Sequence, residues 1–142
     1  MKKTLITLLA AAIAAPAAAL ALRAQTDAAP PPATHEVRMV MEGTSARFEP
    51  ANLTIRAGDR IRFTTVSGGP HNVAFDAAKV PDAAEARLSA GMPGQIQPLS
   101  GALVLNAGDS YTVTFAGVPA GRYEYYCMPH MGMNMKGVIT VQ

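Results

Sequence analysis

Two Ala-Gly-Asp tripeptides, Ala57-Gly58-Asp59 and Ala107-Gly108-Asp109, each introduce a short stretch in which residues alternate between two faces. After the first, Ile61, Phe63 and Thr65 fall on one side and Arg60, Arg62 and Thr64 on the other; after the second, Tyr111, Val113 and Phe115 oppose Thr112 and Thr114. A period of two marks a strand with one buried face, because successive side chains of an extended backbone point to opposite sides. Val37, Met39 and Met41, then Leu53 and Ile55, Val73 and Phe75, and Leu103 and Leu105 supply further candidate inward faces. Ser67-Gly68-Gly69-Pro70 and Val118-Pro119-Ala120-Gly121 close other runs off. Seven or eight short strands separated by such turns predict an all-β fold, a two-sheet antiparallel sandwich with Greek-key connections. One segment departs from alternation: residues 82–88 are good helix formers with Asp82 placed as N-cap, which predicts a short helix or turn. Residues 89–100, rich in Gly, Pro and Gln, read as loop, and no internal repeat is present. Asn52-Leu53-Thr54 matches a glycosylation acceptor but sits in a candidate strand, so it is discounted.

The N-terminus has the layout of a secretory signal. Lys2 and Lys3 precede an Ala-rich apolar run over residues 5–22, and small residues then lead into Arg23, Gln25, Thr26 and Asp27. The reading is a signal peptide over residues 1–24 with cleavage between 19 and 24, an Ala/Pro-rich linker over 25–35, and one domain over 36–142. Export to the periplasm is expected; the alternative is an uncleaved N-terminal membrane anchor with the domain facing the periplasm. Alanine is weakly hydrophobic and Pro16 interrupts the run, which favours cleavage. Losing Lys2, Lys3 and Arg23 leaves nine of the twelve basic residues against ten acidic ones, so the formal charge falls from +2 to −1. The remaining basic residues are scattered singly without aromatic interleaving, so no nucleic acid is expected.

An exported domain of this size often relies on disulfides, yet Cys127 is the only cysteine. A lone thiol in an oxidising compartment is exposed to oxidation, and lasting metal ligation would protect it. The alternative, an inert buried cysteine, is disfavoured by its surroundings. Cys127-Met128-Pro129-His130-Met131-Gly132-Met133-Asn134-Met135 sets a thiolate, an imidazole and several thioethers on one short segment. Those are the soft and borderline donors of a type 1 copper site, two His and one Cys with a weak axial Met. The second imidazole must come from His35 or His71. His71 opens an apolar strand beside a turn stiffened by Pro70, whereas His35 adjoins the linker and reads as solvated, so His71 is preferred. Spacing leaves Met131, Met133 and Met135 open as the axial group. Pro129 restricts the loop and removes a backbone donor near the metal.

Gly68-Gly69-Pro70-His71-Asn72-Val73-Ala74-Phe75-Asp76 resembles the first-histidine segment of plastocyanins, and Tyr123-Glu124-Tyr125-Tyr126-Cys127-Met128-Pro129-His130 resembles their Cys-x-Pro-His strand and loop. Phe48-Glu49-Pro50, Leu53-Thr54-Ile55 and Ala57-Gly58-Asp59 are similar to the early strands, so the resemblance to this cupredoxin group spans most of residues 36–142. It implies a small, soluble one-electron carrier with one copper ion cycling between Cu(II) and Cu(I), and no enzyme. His130 spacing to Met133 resembles amicyanin, and to Met135 plastocyanin and pseudoazurin. In both groups a glycine stands two residues beyond the axial methionine, as Gly137 does after Met135, so Met135 is the expected ligand and Met133 the less favoured one. By resemblance Asn72 ties the His71 strand to the Cys127 loop, and Tyr126 offers a second electron route.

Electrons are expected to pass where His130 reaches the surface, with Tyr126, Met128, Met131 and Met133 forming the electron-transfer face. The expected partners are transient redox proteins met by a monomer, with no small-molecule substrate. No acidic run marks a remote docking patch, which departs from the plant proteins. A copper enzyme would need further histidines, and only His35 is left over. The rival reading is a copper-handling protein that binds Cu(I) through the Met-rich loop for storage, delivery or resistance.

Overall fold

The computed structural model describes residues 29–142. The expected signal peptide and the first part of the expected linker lie outside them. Among the described residues no helix is long and apolar enough to cross a membrane.

The chain forms β1 (Thr34–Glu42), β2 (Ser45–Glu49), β3 (Asn52–Ile55), β4 (Arg60–Thr65), β5 (Ala74–Phe75), α1 (Asp82–Ala90), β6 (Ser110–Thr114), β7 (Gly121–Tyr126) and β8 (Lys136–Val141). Short 3₁₀ turns cover Ala77–Lys79 and Met128–Met133. One sheet runs β2-β1-β4-β6 and the other β3-β8-β7-β5, so the expected two-sheet sandwich with a short helix is present. Each sheet is mixed, however, because β1 pairs in parallel with β4, and β3 with β8. The β1–β2 hairpin forces antiparallel neighbours, but the chain then crosses to the second sheet as β3 and returns as β4 alongside β1. Alternation in a sequence reports which face a residue takes and carries no information on strand direction.

Between the sheets, Tyr125 lies at the centre of an aromatic group. Its ring centroid is 4.6 Å from Phe48, 5.6 Å from Phe63 and 6.3 Å from Phe75, at tilted or edge-on angles that aromatic quadrupoles favour. The buried phenols find acceptors: Tyr125 donates to the Ala51 carbonyl at 3.0 Å, Tyr123 to Pro119 and Tyr111 to Pro93, both at 2.8 Å. Ile61, Phe63 and Thr65 of β4 are all buried, as their alternation predicts.

Three expectations need correction. Leu103 and Leu105 do not face inward; they are 44% and 60% exposed, while Val104 between them is buried. Val104 and His71 exchange two backbone hydrogen bonds, at 2.9 and 2.8 Å, and that pairing fixes the opposite register. Asp82 is not the N-cap of α1. Pro81 takes that position, its carbonyl accepting from the N–H groups of Ala84 and Glu85 at 2.8 and 3.1 Å, and Asp82 stands in the first turn. The helix also continues to Ala90, into the stretch read as loop, and buries Ala84 and Leu88.

His35 is not solvated by default, and the ordered sheet begins at Thr34, ahead of the start expected at Glu36. The His35 Nε2 atom lies 2.8 Å from Oδ2 of buried Asp59. Asp59 also accepts from the backbone N–H groups of Ala33 at 2.8 Å and Arg56 at 3.0 Å. One carboxylate thereby fastens the start of β1 to the turn before β4. Burial works against ionisation of this group, but the His35 contact and the two backbone donors outweigh it and hold the carboxyl down at about 2. Its pKa is depressed in the folded state, so the unfolded chain binds more protons between about pH 4 and pH 2, and stability falls as pH drops through that window. Asp59→Asn should lower stability at neutral pH by about 1.5–3 kcal/mol, the worth of hydrogen bonds to a charged group. It should also reduce the slope of stability against pH in that acid window, measured by urea unfolding; an unchanged slope would refute the assignment.

Candidate metal centre

Beyond the far end of β4 from Asp59, the chain turns through residues 66–70 to His71. Ser67 holds this turn to β1: its hydroxyl donates to the Met41 carbonyl at 2.8 Å and accepts from the Met41 N–H at 3.1 Å. Gly68, at φ 68°, and Gly69 have no room for a side chain, since a Cβ would collide with the Met41 side chain at the first and with the Leu105 carbonyl at the second. The Ser67 carbonyl accepts from His71 Nε2 at 2.8 Å. A carbonyl can only accept, so Nε2 carries the ring proton and the Nδ1 lone pair is left free.

That lone pair faces Cys127. Sγ of Cys127 lies 3.7 Å from His71 Nδ1 and 3.4 Å from His130 Nδ1, and the three candidate donor atoms all lie within 4.8 Å of one another. His71 and Cys127 are fully buried, and His130 is 7% exposed. The two rings stand 4.7 Å apart at 50°. Burial pushes the Cys127 thiol up, opposed by the backbone N–H groups of Asn72 and His130 directed at the sulfur. Burial, and then the neighbouring His71, push the His130 imidazole down, in the direction of the neutral form. A neutral imidazole is the form that binds metal.

The donor set fits a copper ion. Metal–nitrogen and metal–sulfur bonds of about 2.0 and 2.3 Å allow two donors on one ion to be no more than roughly 4.3 Å apart. Both sulfur–nitrogen separations meet that limit. Two imidazoles with a thiolate suit copper, while hard cations prefer oxygen. The family model for copper binding proteins of the plastocyanin/azurin family matches residues 35–142. The chain belongs to that family.

Its relatives agree. Plastocyanin of Nostoc punctiforme is 41% identical over 110 residues, covering 77% of this chain and 74% of that protein. Plastocyanin of Scenedesmus fuscus is 39% identical over 107 residues, covering 75% and 97%. The oxidised plastocyanin of the fern Dryopteris crassirhizoma superposes with a TM-score of 0.60 at 30% identity, covering 75% of this chain and 99% of that one. Amicyanin structures match in fold, at a TM-score of 0.51 and 22% identity. As a plastocyanin-like cupredoxin, the chain is a copper-binding electron carrier and not an enzyme.

Around this cupredoxin centre the other expected residues are distributed unevenly. Met135 is buried, and its carbonyl accepts from the Cys127 N–H at 3.0 Å, whereas Met133 is 38% and Met131 62% exposed. Gly137 has no space for a Cβ, which would meet the Ala51 carbonyl and the Tyr125 ring; this crowding accounts for a glycine at that point of β8. Asn72 is fully buried, and its Oδ1 accepts from the Met128 N–H at 2.8 Å. Pro129 is exposed at the start of the 3₁₀ turn, and Tyr126, half-buried, ends β7 beside Ala74 and Lys136. Met128 is half-buried. Ser67 and Ser100 are in contact with the residues of this site, a role that sequence reasoning does not assign to either. Ser67 opens the Ser-Gly-Gly-Pro turn, a signal that was available; Ser100 has no local signal.

Proposed function

We propose that this chain is an exported, monomeric one-electron carrier whose copper is held by His71, Cys127 and His130, with Met135 as the weak axial ligand. The convergence of two imidazole Nδ1 atoms on one buried cysteine sulfur carries the reading. When bound, copper supplies the Cu(II)/Cu(I) couple. The protein supplies a donor set already assembled. Ser67 fixes the ring orientation and proton of His71, Asn72 fixes the residue after Cys127, and backbone N–H groups face the sulfur. Donors held this firmly need not move when one electron arrives or leaves. Burial supports Met135 over Met133 as the fourth group.

His130 is the edge through which electrons are proposed to pass. Its surroundings include exposed Met131 and Met133, and Leu105, whose carbonyl abuts Gly69, adds apolar surface at the same end. Such a patch suits brief contact with other redox proteins. The signal-like N-terminus supports a periplasmic location, with a membrane-anchored form as the alternative.

The test is to load the domain with Cu(II) and record visible and electron paramagnetic resonance spectra before and after a mild reductant. An intense thiolate-to-copper band with small hyperfine splitting, lost on reduction and regained on reoxidation, is expected. Absence of that band, with tight binding of more than one Cu(I), would point instead to copper handling through Met131 and Met133. For the axial group, Met135→Ala should keep the band but change its shape and raise or lower the potential, while Met133→Ala leaves both near wild type. The reverse pattern would move the assignment to Met133.

A further inference from the structure

Met128 brings a thioether into the copper-binding loop, next to Cys127, and that sulfur is already engaged. It accepts from the Ser100 hydroxyl at 2.9 Å and from Gln97 Nε2 at 3.5 Å. Asn72 Nδ2 in turn donates to Ser100 Oγ at 3.1 Å and to the Gly101 carbonyl at 3.3 Å. The roles leave no freedom. The Met128 N–H can only donate, which assigns the oxygen of the Asn72 amide to it and turns the amide nitrogen toward Ser100. Since that nitrogen can only donate and a thioether can only accept, the single Ser100 proton goes to sulfur. The three residues close a ring: Met128 N–H to Asn72, Asn72 to Ser100, Ser100 to the Met128 sulfur.

Ser100 is itself held hard. Its N–H donates to the Gln97 carbonyl and its carbonyl accepts from the Ile96 N–H, both at 2.9 Å. The preceding residue, Leu99, sits at φ 57°, a left-handed conformation that a non-glycine residue adopts only when its surroundings enforce it. Here its side chain is fully buried, its N–H donates to Gln95 Oε1 at 2.7 Å, and its carbonyl accepts from the Phe75 N–H at 2.9 Å. Gln95 Nε2 then donates to the Ser89 and Met92 carbonyls at 2.9 and 3.1 Å, which ties the turn to the end of α1. A strained and braced segment, remote in sequence from every candidate ligand, thus delivers one hydroxyl to the residues that follow His71 and Cys127.

We propose that Ser100 is a positioning residue for the copper centre. Through its hydroxyl it locks the Asn72 amide and turns the Met128 thioether away from the metal, so that the Cys127 sulfur keeps one position relative to His71. The proposal rests on the reading of His71 and Cys127 as ligands for its copper readout alone; the ring itself can be tested without metal.

The experiment measures amide hydrogen exchange at residue 128 in the metal-free protein, with β8 amides as internal reference, for Ser100→Ala, Met128→Leu and the double variant. Ser100→Ala should accelerate exchange at residue 128 by about fivefold to tenfold, as expected for a weakened hydrogen bond. Met128→Leu should do much the same, and the double variant no more than either, because both remove one link of one ring. In the copper-loaded protein, Ser100→Ala should shift the thiolate-to-copper band and the potential, and Ser100→Thr, which restores the hydroxyl, should bring both back. Unchanged exchange at residue 128, or equal acceleration at residue 128 and in β8, would overturn the proposal. If the wild-type protein shows no thiolate-to-copper band, the copper assignment fails, and the exchange result still decides whether the ring exists.

Discussion

Cys127→Ala should abolish the intense visible absorption of the copper-loaded protein and weaken copper binding by more than about 100-fold, beyond the loss typical of a residue that only supports a ligand. The reason is the chemistry of the three donors. His71 and His130 are neutral nitrogen groups, and the sulfur between them is the one candidate donor that binds as an anion. Without it, two imidazoles and a distant thioether remain, which is too weak a set to keep copper against competing chelators. The fold should survive. Cys127 is small, and emptying its volume costs about 1 kcal/mol, less than a large-to-small change in the core. Far-ultraviolet circular dichroism should therefore match wild type while the visible band is gone. Cys127 is the only cysteine, so an unaltered band in the alanine variant would show that the absorption does not arise from a thiolate, and the assignment of Cys127 as a ligand would fall.

The parts of this site legible in the sequence were those in which one residue type and its immediate neighbours carry the chemistry. Cys127 and His130 are three positions apart, and no disulfide partner exists to explain the cysteine. His71 could be reached because, with His130 already placed beside Cys127, only His35 competes, and His35 has a structural role with Asp59 instead. The sheets were legible through alternation wherever a strand is paired along its length, as at β4. Alternation failed at Leu103 and Leu105, where an isolated bridge to His71 sets the register. It was silent on the two parallel pairings, which depend on how the chain crosses between sheets.

Least legible was Ser100, which acts on the site from a distance in sequence. It stands 28 positions after Asn72, whose tie to the Cys127 loop only the family resemblance implied, and 28 before Met128, yet one ring of hydrogen bonds holds the three. Nothing in the composition of residues 89–100 distinguishes a braced turn from an ordinary loop. The difference lies in a buried leucine with positive φ and a glutamine whose amide satisfies four backbone or hydroxyl partners, Ser89 through both groups, Met92 and Leu99. Those are tertiary facts, available only once α1 and β5 have been placed.

Core packing and metal binding should prove to be coupled through Tyr125. This residue is buried against Phe48, Phe63 and Phe75, and it stands in β7 just before Tyr126 and Cys127. Tyr125→Ala removes the centre of the aromatic group and should cost about 3–5 kcal/mol. A domain of this size has roughly 5–15 kcal/mol in total, so the metal-free variant should melt tens of degrees lower and expose Cys127 to thiol reagents. Tyr125→Phe keeps the ring and loses only the bond to the Ala51 carbonyl, worth about 1 kcal/mol, so it should stay close to wild type. Copper binds the folded state, in which His71, Cys127 and His130 already converge. At a free concentration one thousand times its dissociation constant it therefore adds about 4 kcal/mol of stability, comparable to the loss in Tyr125→Ala. The expected result is that copper raises the melting temperature of Tyr125→Ala to near that of the metal-free wild type, with little effect of equimolar magnesium. If copper left the variant's melting temperature unchanged while still binding, the donors would be gathering on the unfolded chain. The claim that the sandwich assembles the site before the metal arrives would then fail.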